Sequence, residues 1–259
     1  MRSVLFFLAT CGAAAAAPIA CSSESASGSD AGTFISLGDA TYVDAADKDG
    51  SKPKVDGGFV GPSGSVLRED RFVTSVVSFT PGPCAGFGAG EMPGVVLGPP
   101  VGSGNKSGGL DVVSLGIGGE IVLAFGDNEI VDQPGADFIV FENAFLVSGT
   151  EIPAADLGEV SVSADGVTWK TFPCTPGPSA PYPGCAGWTP VYSAPDNEIS
   201  PVDVAKAGGE AFDLAEVGLA SAKLVRIKDR STMSCDGMAK PINLGFDLDA
   251  VAIVHAKIP

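Results

Sequence analysis

Asp127, Asn128, Asp132 and Asp137 fall within eleven residues of a turn-rich segment, and Glu142 and Asn143 follow one short apolar run later. Asp247 and Asp249 stand near the end of the chain in FDLDAV. Carboxylate and amide oxygens at such density are the donors that a hard cation takes, six to eight per Ca²⁺ ion. The candidate metal ligands are therefore Asp127, Asp132, Asp137, Glu142, Asn143, Asp247 and Asp249, and the expected cofactor is a structural calcium. Solvated loop acids, with Arg226 pairing one aspartate, are the simpler alternative.

Other chemistries fit less well. His255 is the single histidine, four residues from the end, and no G-x-S-x-G elbow accompanies it, so a nucleophilic triad lacks its parts. Zinc would need Cys or His at ligand spacing, and no C-x-x-C occurs. Gly116–Gly119 lies between two predicted strands rather than opening a helix, so it reads as a hairpin turn and not a phosphate loop. Carboxylate pairs keep glycoside hydrolysis open by residue type, but two tryptophans offer little stacking surface for a deep saccharide cleft.

The elements that must position these groups read as short strands: Arg71–Thr80, Asp111–Leu115, Glu120–Phe125, Phe138–Phe141, Glu159–Ala164, Thr168–Phe172, Lys223–Lys228 and Phe246–Val254. They are rich in β-branched and aromatic residues and are bounded by Gly, Pro and Asp turns, with Asp165-Gly166 the strongest hairpin signal. Only Phe212–Leu219 has helical content. The stretch Leu110–Phe145 carries three of the strands and most of the acids, and reads as the hub of an all-β sandwich or jelly roll. In FDLDAV, alternation puts Asp247 and Asp249 on one face together with Val251.

The N-terminal part has another character. Residues 1–20 carry Arg2 and then an apolar, small-residue run, as in a signal peptide. Pro18-Ile19-Ala20-Cys21 resembles a bacterial lipobox, which implies Cys21 as the lipidated residue of an outer-membrane or cell-surface lipoprotein. Residues 21–64 are polar and small, and read as a disordered tether, leaving 65–259 as the β-sandwich domain. Removing residues 1–20 takes one Arg and no acid, so the formal charge moves from −16 to −17. That balance argues against a nucleic-acid partner, which needs a basic footprint. Cys84, Cys174, Cys185 and Cys235 form an even set in an exported chain. Three connectivities are open; the short Pro-rich loop favours Cys174–Cys185, leaving Cys84 for Cys235.

VSVSADGVTW (160–169) resembles the hairpin of the galactose-binding-like β-sandwich superfamily, which includes discoidin and coagulation-factor type C domains. LVRI (224–227) and SLGIGGEIVL (114–123) resemble further strands of the same group, and the similarity runs from about Arg71 to Val254. It implies a jelly-roll fold, frequently calcium-stabilised, with loops at one end that bind glycans. Tyr182, Trp188 and Tyr192 are the candidate ligand-binding aromatics, and Trp169 reads as core. The expectation is a non-enzymatic, membrane-anchored binding module for a glycan or another surface molecule. An adhesion protein that meets another protein, or a polysaccharide hydrolase, are the alternatives.

Overall fold

The computed structural model describes residues 54–236 and 243–258. The signal segment, Cys21 and most of the expected tether lie outside the described residues. Among the described residues, sixteen short strands follow one another. A first hairpin is made by β1 (Gly58–Val60) and β2 (Val66–Arg68). Next come β3 (Ser75–Thr80), β4 (Val113–Ser114), β5 (Glu120–Ala124), β6 (Ile130–Val131) and β7 (Phe138–Glu142). After them come β8 (Phe145–Leu146), β9 (Pro153–Ala154), β10 (Gly158–Ser163), β11 (Lys170–Thr171) and β12 (Cys185–Ala186). The chain closes with β13 (Glu210–Phe212), β14 (Ser221–Ala222), β15 (Leu224–Asp229) and β16 (Asp247–Ile253). Helical structure among the described residues is confined to 3-10 turns of three or four residues. The fold is all-β. The expected helical segment reduces to one turn, Leu214–Val217, capped by Asp213, whose carboxylate accepts the Ala215 N–H at 2.9 Å.

Two antiparallel sheets carry the core. One runs β11-β10-β15-β5-β3, with β12 also paired to β10; the other runs β13-β7-β16-β4. Ile121 and Leu123, Val160 and Val162, and Val225 and Ile227 point inward from the first. Phe138, Val140, Phe212, Leu248, Val251 and Ile253 meet them from the second. Alternate residues of three adjacent strands thus bury one face, the period-2 pattern of a sandwich.

The four-stranded sheet is buried on its other face as well. Ile139, Phe141, Ala250 and Ala252 pack there against Phe59, Phe72, Val191 and Ala207. This is why β7 is buried at all five positions and its first four residues read as a continuous apolar run. Phe59 is 2% exposed and meets Phe72 edge-on at 5.5 Å between ring centroids. The packed body therefore begins before residue 65: β1, inside the expected tether, is a strand whose aromatic residue covers a sheet.

Further differences from the sequence reading concern connections. Gly116–Gly119 does form a tight turn, with Gly119 N–H donating to Gly116 O at 2.9 Å. It is not a hairpin, because β4 pairs with β16 in one sheet and β5 with β3 and β15 in the other. The turn carries the chain between the two sheets. Leu110–Phe145 accordingly supplies strands to both sheets rather than forming one sheet edge.

The Asp165-Gly166 hairpin is present between β10 and β11. Asp165 accepts the N–H groups of Val167 at 2.8 Å and Thr168 at 2.7 Å, and these bonds hold its carboxyl down at about 2. Trp169 is half-buried rather than core, lying under the Arg226 guanidinium at 4.5 Å on the outer face of the larger sheet. Arg226 thus pairs with an aromatic ring and not with the aspartates of β16. The disulfides join Cys174 to Cys185 and Cys84 to Cys235. They place the chain in an oxidising environment. No helix of the described residues is long and apolar enough to cross a membrane.

Candidate cation site

The candidate ligands separate along β7. Asp137 immediately precedes this strand and Glu142 ends it. Five residues at about 3.3 Å each put them roughly 16 Å apart, too far to share an ion whose ligands lie within about 2.6 Å of it. The seven residues therefore fall into two groups.

At the start of β7 Asp137 is already committed. Asp137 is fully buried; its Oδ1 accepts from Gln133 N–H at 3.0 Å and lies 2.8 Å from His255 Nδ1, and its Oδ2 accepts Leu214 N–H at 2.8 Å. Asp132 and Asp213 each bring a carboxylate oxygen within 4.8 Å of it. Every oxygen of Asp137 is thus engaged in pinning the loop, the 3-10 turn and the C-terminal segment. Asn128 does similar work, accepting Ile258 N–H at 2.9 Å and donating to Ile258 O at 3.0 Å, while Glu129 pairs with Lys257. Asp127 stands apart, exposed in a shallow cleft of about 280 Å³ with Arg68, Glu69, Asp70 and Thr74.

The far end of β7 is different. Glu142 is 2% exposed, and its Oε1 has only the Asp247 N–H at 3.4 Å. Its Oε2 is buried without a hydrogen-bond partner, and so is Asp247 Oδ1. Asp247 Oδ2 is met by the Asn143 amide at 3.4 Å, and that amide also donates to Gly109 O at 3.2 Å. Burial first, and then the Asp247, Asp156 and Glu210 carboxylates, push the Glu142 carboxyl well above the usual range. Burial and the charges of Asp247 and Asp229 push Asp156 to about 6. Asp247 is raised chiefly by burial, with Ser114 and Asn143 opposing. Orphaned, desolvated oxygens on neighbouring acids are costly unless a proton or a cation compensates them.

Local backbone chemistry explains how the acids come together. Glu142 is paired opposite Leu248 and Phe141 opposite Ala250, so Asp249 is an extra residue, a β-bulge in β16. The bulge shifts the alternation. Leu248, Val251 and Ile253 all enter the main core, while Ala250 and Ala252 face the second one. The expectation that Asp247 and Asp249 share a face with Val251 fails for this reason. Asp249, 2% exposed, instead turns to the Val101 N–H, at 2.9 and 3.2 Å from its two oxygens. It thereby anchors the glycine-rich 101–109 loop, and together with Glu142 and Asn143 it lines the narrow slot beneath that loop.

Compared with family models and with curated proteins, the chain matches none. The site must stand on its own geometry.

Glu142, Asn143, Asp247 and Asp249 are therefore brought to one end of the four-stranded sheet, and Asp127, Asp132 and Asp137 are not. Two acids were missed. Asp156 follows β9 in an ordinary-looking loop, and nothing in its neighbours marks it. Glu210 lies opposite Val140 and accepts N–H bonds from Gly187 at 2.7 Å, Trp188 at 3.2 Å and Thr189 at 2.6 Å. Burial outweighs those three donors and raises its carboxyl to about 7. An acid two positions before a core phenylalanine, and so on the same strand face in EAF, was the available signal.

Among the candidate aromatics, Tyr182 and Trp188 meet edge-on at 6.1 Å. The Trp188 indole N–H is taken by Cys185 O at 3.1 Å, so this pair braces the disulfide loop. Tyr192 is 37% exposed beside the Gly102–Gly104 turn, whose Gly104 N–H donates to Val191 O at 2.8 Å.

Proposed function

We propose that the chain is an exported, non-enzymatic binding module of the bacterial surface, built on a calcium-stabilised sandwich of galactose-binding-like, jelly-roll type. The single observation that carries this reading is the pair of buried, unpartnered carboxylate oxygens on Glu142 and Asp247. The Asn143 amide meets Asp247 at 3.4 Å, and the charge of Asp156 is felt at Glu142, so more oxygen donors suited to a hard cation lie in the same region. A divalent cation held there would supply the positive charge those oxygens lack. It would join β7, the loop before β10 and the start of β16, which are segments distant in sequence.

The remaining support comes from the chain's ends and charge. The lipobox-like Cys21 would fix the module to a membrane, with the polar segment after it as spacer. The formal charge of −16 suits a soluble exterior domain and repels nucleic acid. Candidate ligands are surface glycans. The test is a glycan array probed with the full-length protein in calcium and in chelator. Calcium-dependent capture of defined glycans supports the module. A calcium-dependent gain in thermal stability with no glycan captured would assign the chain to the adhesion reading instead.

A further inference from the structure

The loop of residues 101–109 is tied at both ends to side chains of the candidate site. At its start the Val101 N–H donates to the Asp249 carboxylate, at 2.9 and 3.2 Å from the two oxygens. At its end the Gly109 carbonyl accepts from the Asn143 amide at 3.2 Å, and that amide also meets Asp247 Oδ2 at 3.4 Å. Between the ends, Gly102 N–H donates to Ser193 O at 2.9 Å and Gly104 N–H to Val191 O at 2.8 Å. Asn105 O accepts the Leu146 N–H at 2.9 Å. The loop is a strap fastened along its length, and Glu142 shares the slot beneath it.

Glycine makes this close seat possible. A Cβ on Gly102 would stand 2.3 Å from Val191 O, and one on Gly108 would stand 2.9 Å from Asn143 O. A side chain at either position lifts the backbone from its partner. The seat also bears on the cation. Glu142 Oε2 and Asp247 Oδ1 are two buried oxygens without a hydrogen-bond partner, whereas a calcium ion takes six to eight oxygens. Most of the shell must therefore come from other groups around the slot, and the backbone of the loop forms one wall of it.

We infer that the 101–109 loop is a calcium-controlled strap, which closes over the cation and supplies backbone carbonyls to its shell. Calcium then sets the order of the loop and of the 191–193 strip hydrogen-bonded to it. That strip carries Tyr192, 37% exposed, so the outer face made by the loop and this ring depends on calcium. A surface ligand need not touch the ion, because Glu142 is 2% exposed beneath the strap. The coupling is reciprocal by linkage: a change that unseats the loop weakens the cation by the same factor. The inference rests on the cation reading proposed above and specifies how that site acts on the surface.

The experiment is amide hydrogen exchange of the full-length protein in calcium chloride and in EDTA, with calorimetric calcium titration of the wild type and of Gly102→Ala. In the wild type, exchange at the Gly102 and Gly104 N–H groups should slow by about 10-fold or more, with a ceiling of about 100-fold at 100 times the dissociation constant. The Asp165–Thr168 turn, which has no bond to the loop, should keep its rate. Gly102→Ala touches no candidate ligand; with its folding confirmed by melting temperature, it should bind calcium about 10-fold more weakly. Unchanged affinity in the folded variant would overturn the inference. Calcium binding to the wild type without slower loop exchange would overturn it and leave the cation reading intact. Equal slowing at the Asp165–Thr168 turn would reduce the effect to general stabilisation and also overturn it. No calcium binding to the wild type would remove both. The exchange measurement uses the wild type alone and decides the matter if the variant does not fold.

Discussion

Glu142→Gln tests the cation site with the smallest change of shape. In the wild-type protein one buried oxygen of Glu142 has no hydrogen-bond partner and three other acids raise the cost of its charge. If calcium supplies the missing charge, it stabilises the native state by mass action. At 100 times the dissociation constant the gain is about 2.7 kcal/mol. For a domain of this size about 1 kcal/mol moves the melting temperature by roughly 2–4 °C, so the expected rise is about 5–11 °C. With an affinity in the extracellular range, around 0.1 mM, about 10 mM calcium reaches that regime. Glu142→Gln should lose most of the rise while remaining at least as stable as wild type in chelator, because a neutral amide costs less to bury than a carboxylate. Differential scanning calorimetry with calcium and with EDTA reads both quantities. The reasoning is refuted if the variant keeps the full calcium shift, or if it is strongly destabilised in EDTA, since Glu142 would then be an ordinary structural acceptor.

Other expectations concern the frame around the site. Phe59→Ala should cost about 3–5 kcal/mol in urea unfolding, because it uncovers Phe72 and the second face of the four-stranded sheet; a loss under 1 kcal/mol would return β1 to the tether. Asp229→Ala removes the acceptor for Gly118 and Phe246 N–H groups, both at 2.8 Å, and for the Ser231 N–H and hydroxyl. Each buried donor left unpaired costs about 1–3 kcal/mol, so urea unfolding should show a loss of several kcal/mol. Glu210 contributes a pH dependence of definite sign. Its carboxyl rises from 4.5 to about 7 on folding, so over that window the native state keeps a proton that the unfolded chain has released. Stability should therefore fall with rising pH, by about 3 kcal/mol in total for a 2.5-unit shift. Glu210→Gln should flatten that slope in urea titrations at several pH values, at a constant penalty because its amide nitrogen faces backbone N–H groups; an unchanged slope would assign it to other acids.

Most strands could be read before the structure because their alternation is strong: Val160 and Val162, Val225 and Ile227, and Ile121 and Leu123 each pair apolar positions two apart. The disulfide pairs were legible because one loop was short. The sheet assignment was not, since a Gly-rich turn looks the same whether it joins strands of one sheet or carries the chain to the next, as at Gly116–Gly119. Phe59 was hidden by the small, polar residues around it. Within the site, Glu142, Asn143 and Asp247 were legible as acids and amides at strand ends. Their separation from Asp132 and Asp137 was not, although strand length contained it: a five-residue strand cannot bring both of its ends to one ion. The Asp249 bulge was invisible because an inserted residue leaves the local pattern intact and shifts only the phase after it. Asp156 reaches the site through the path of the chain, which no local spacing records.

The central claim is a cation at Glu142 and Asp247, and isothermal titration of the full-length protein with calcium near pH 7.5 tests it most directly. The account predicts saturable binding in the range of about 10⁻⁴ to 10⁻³ M, abolished by Glu142→Gln combined with Asp247→Asn and unaffected by Asp127→Asn. Absence of binding to wild type, or unchanged binding in the double variant, would contradict it.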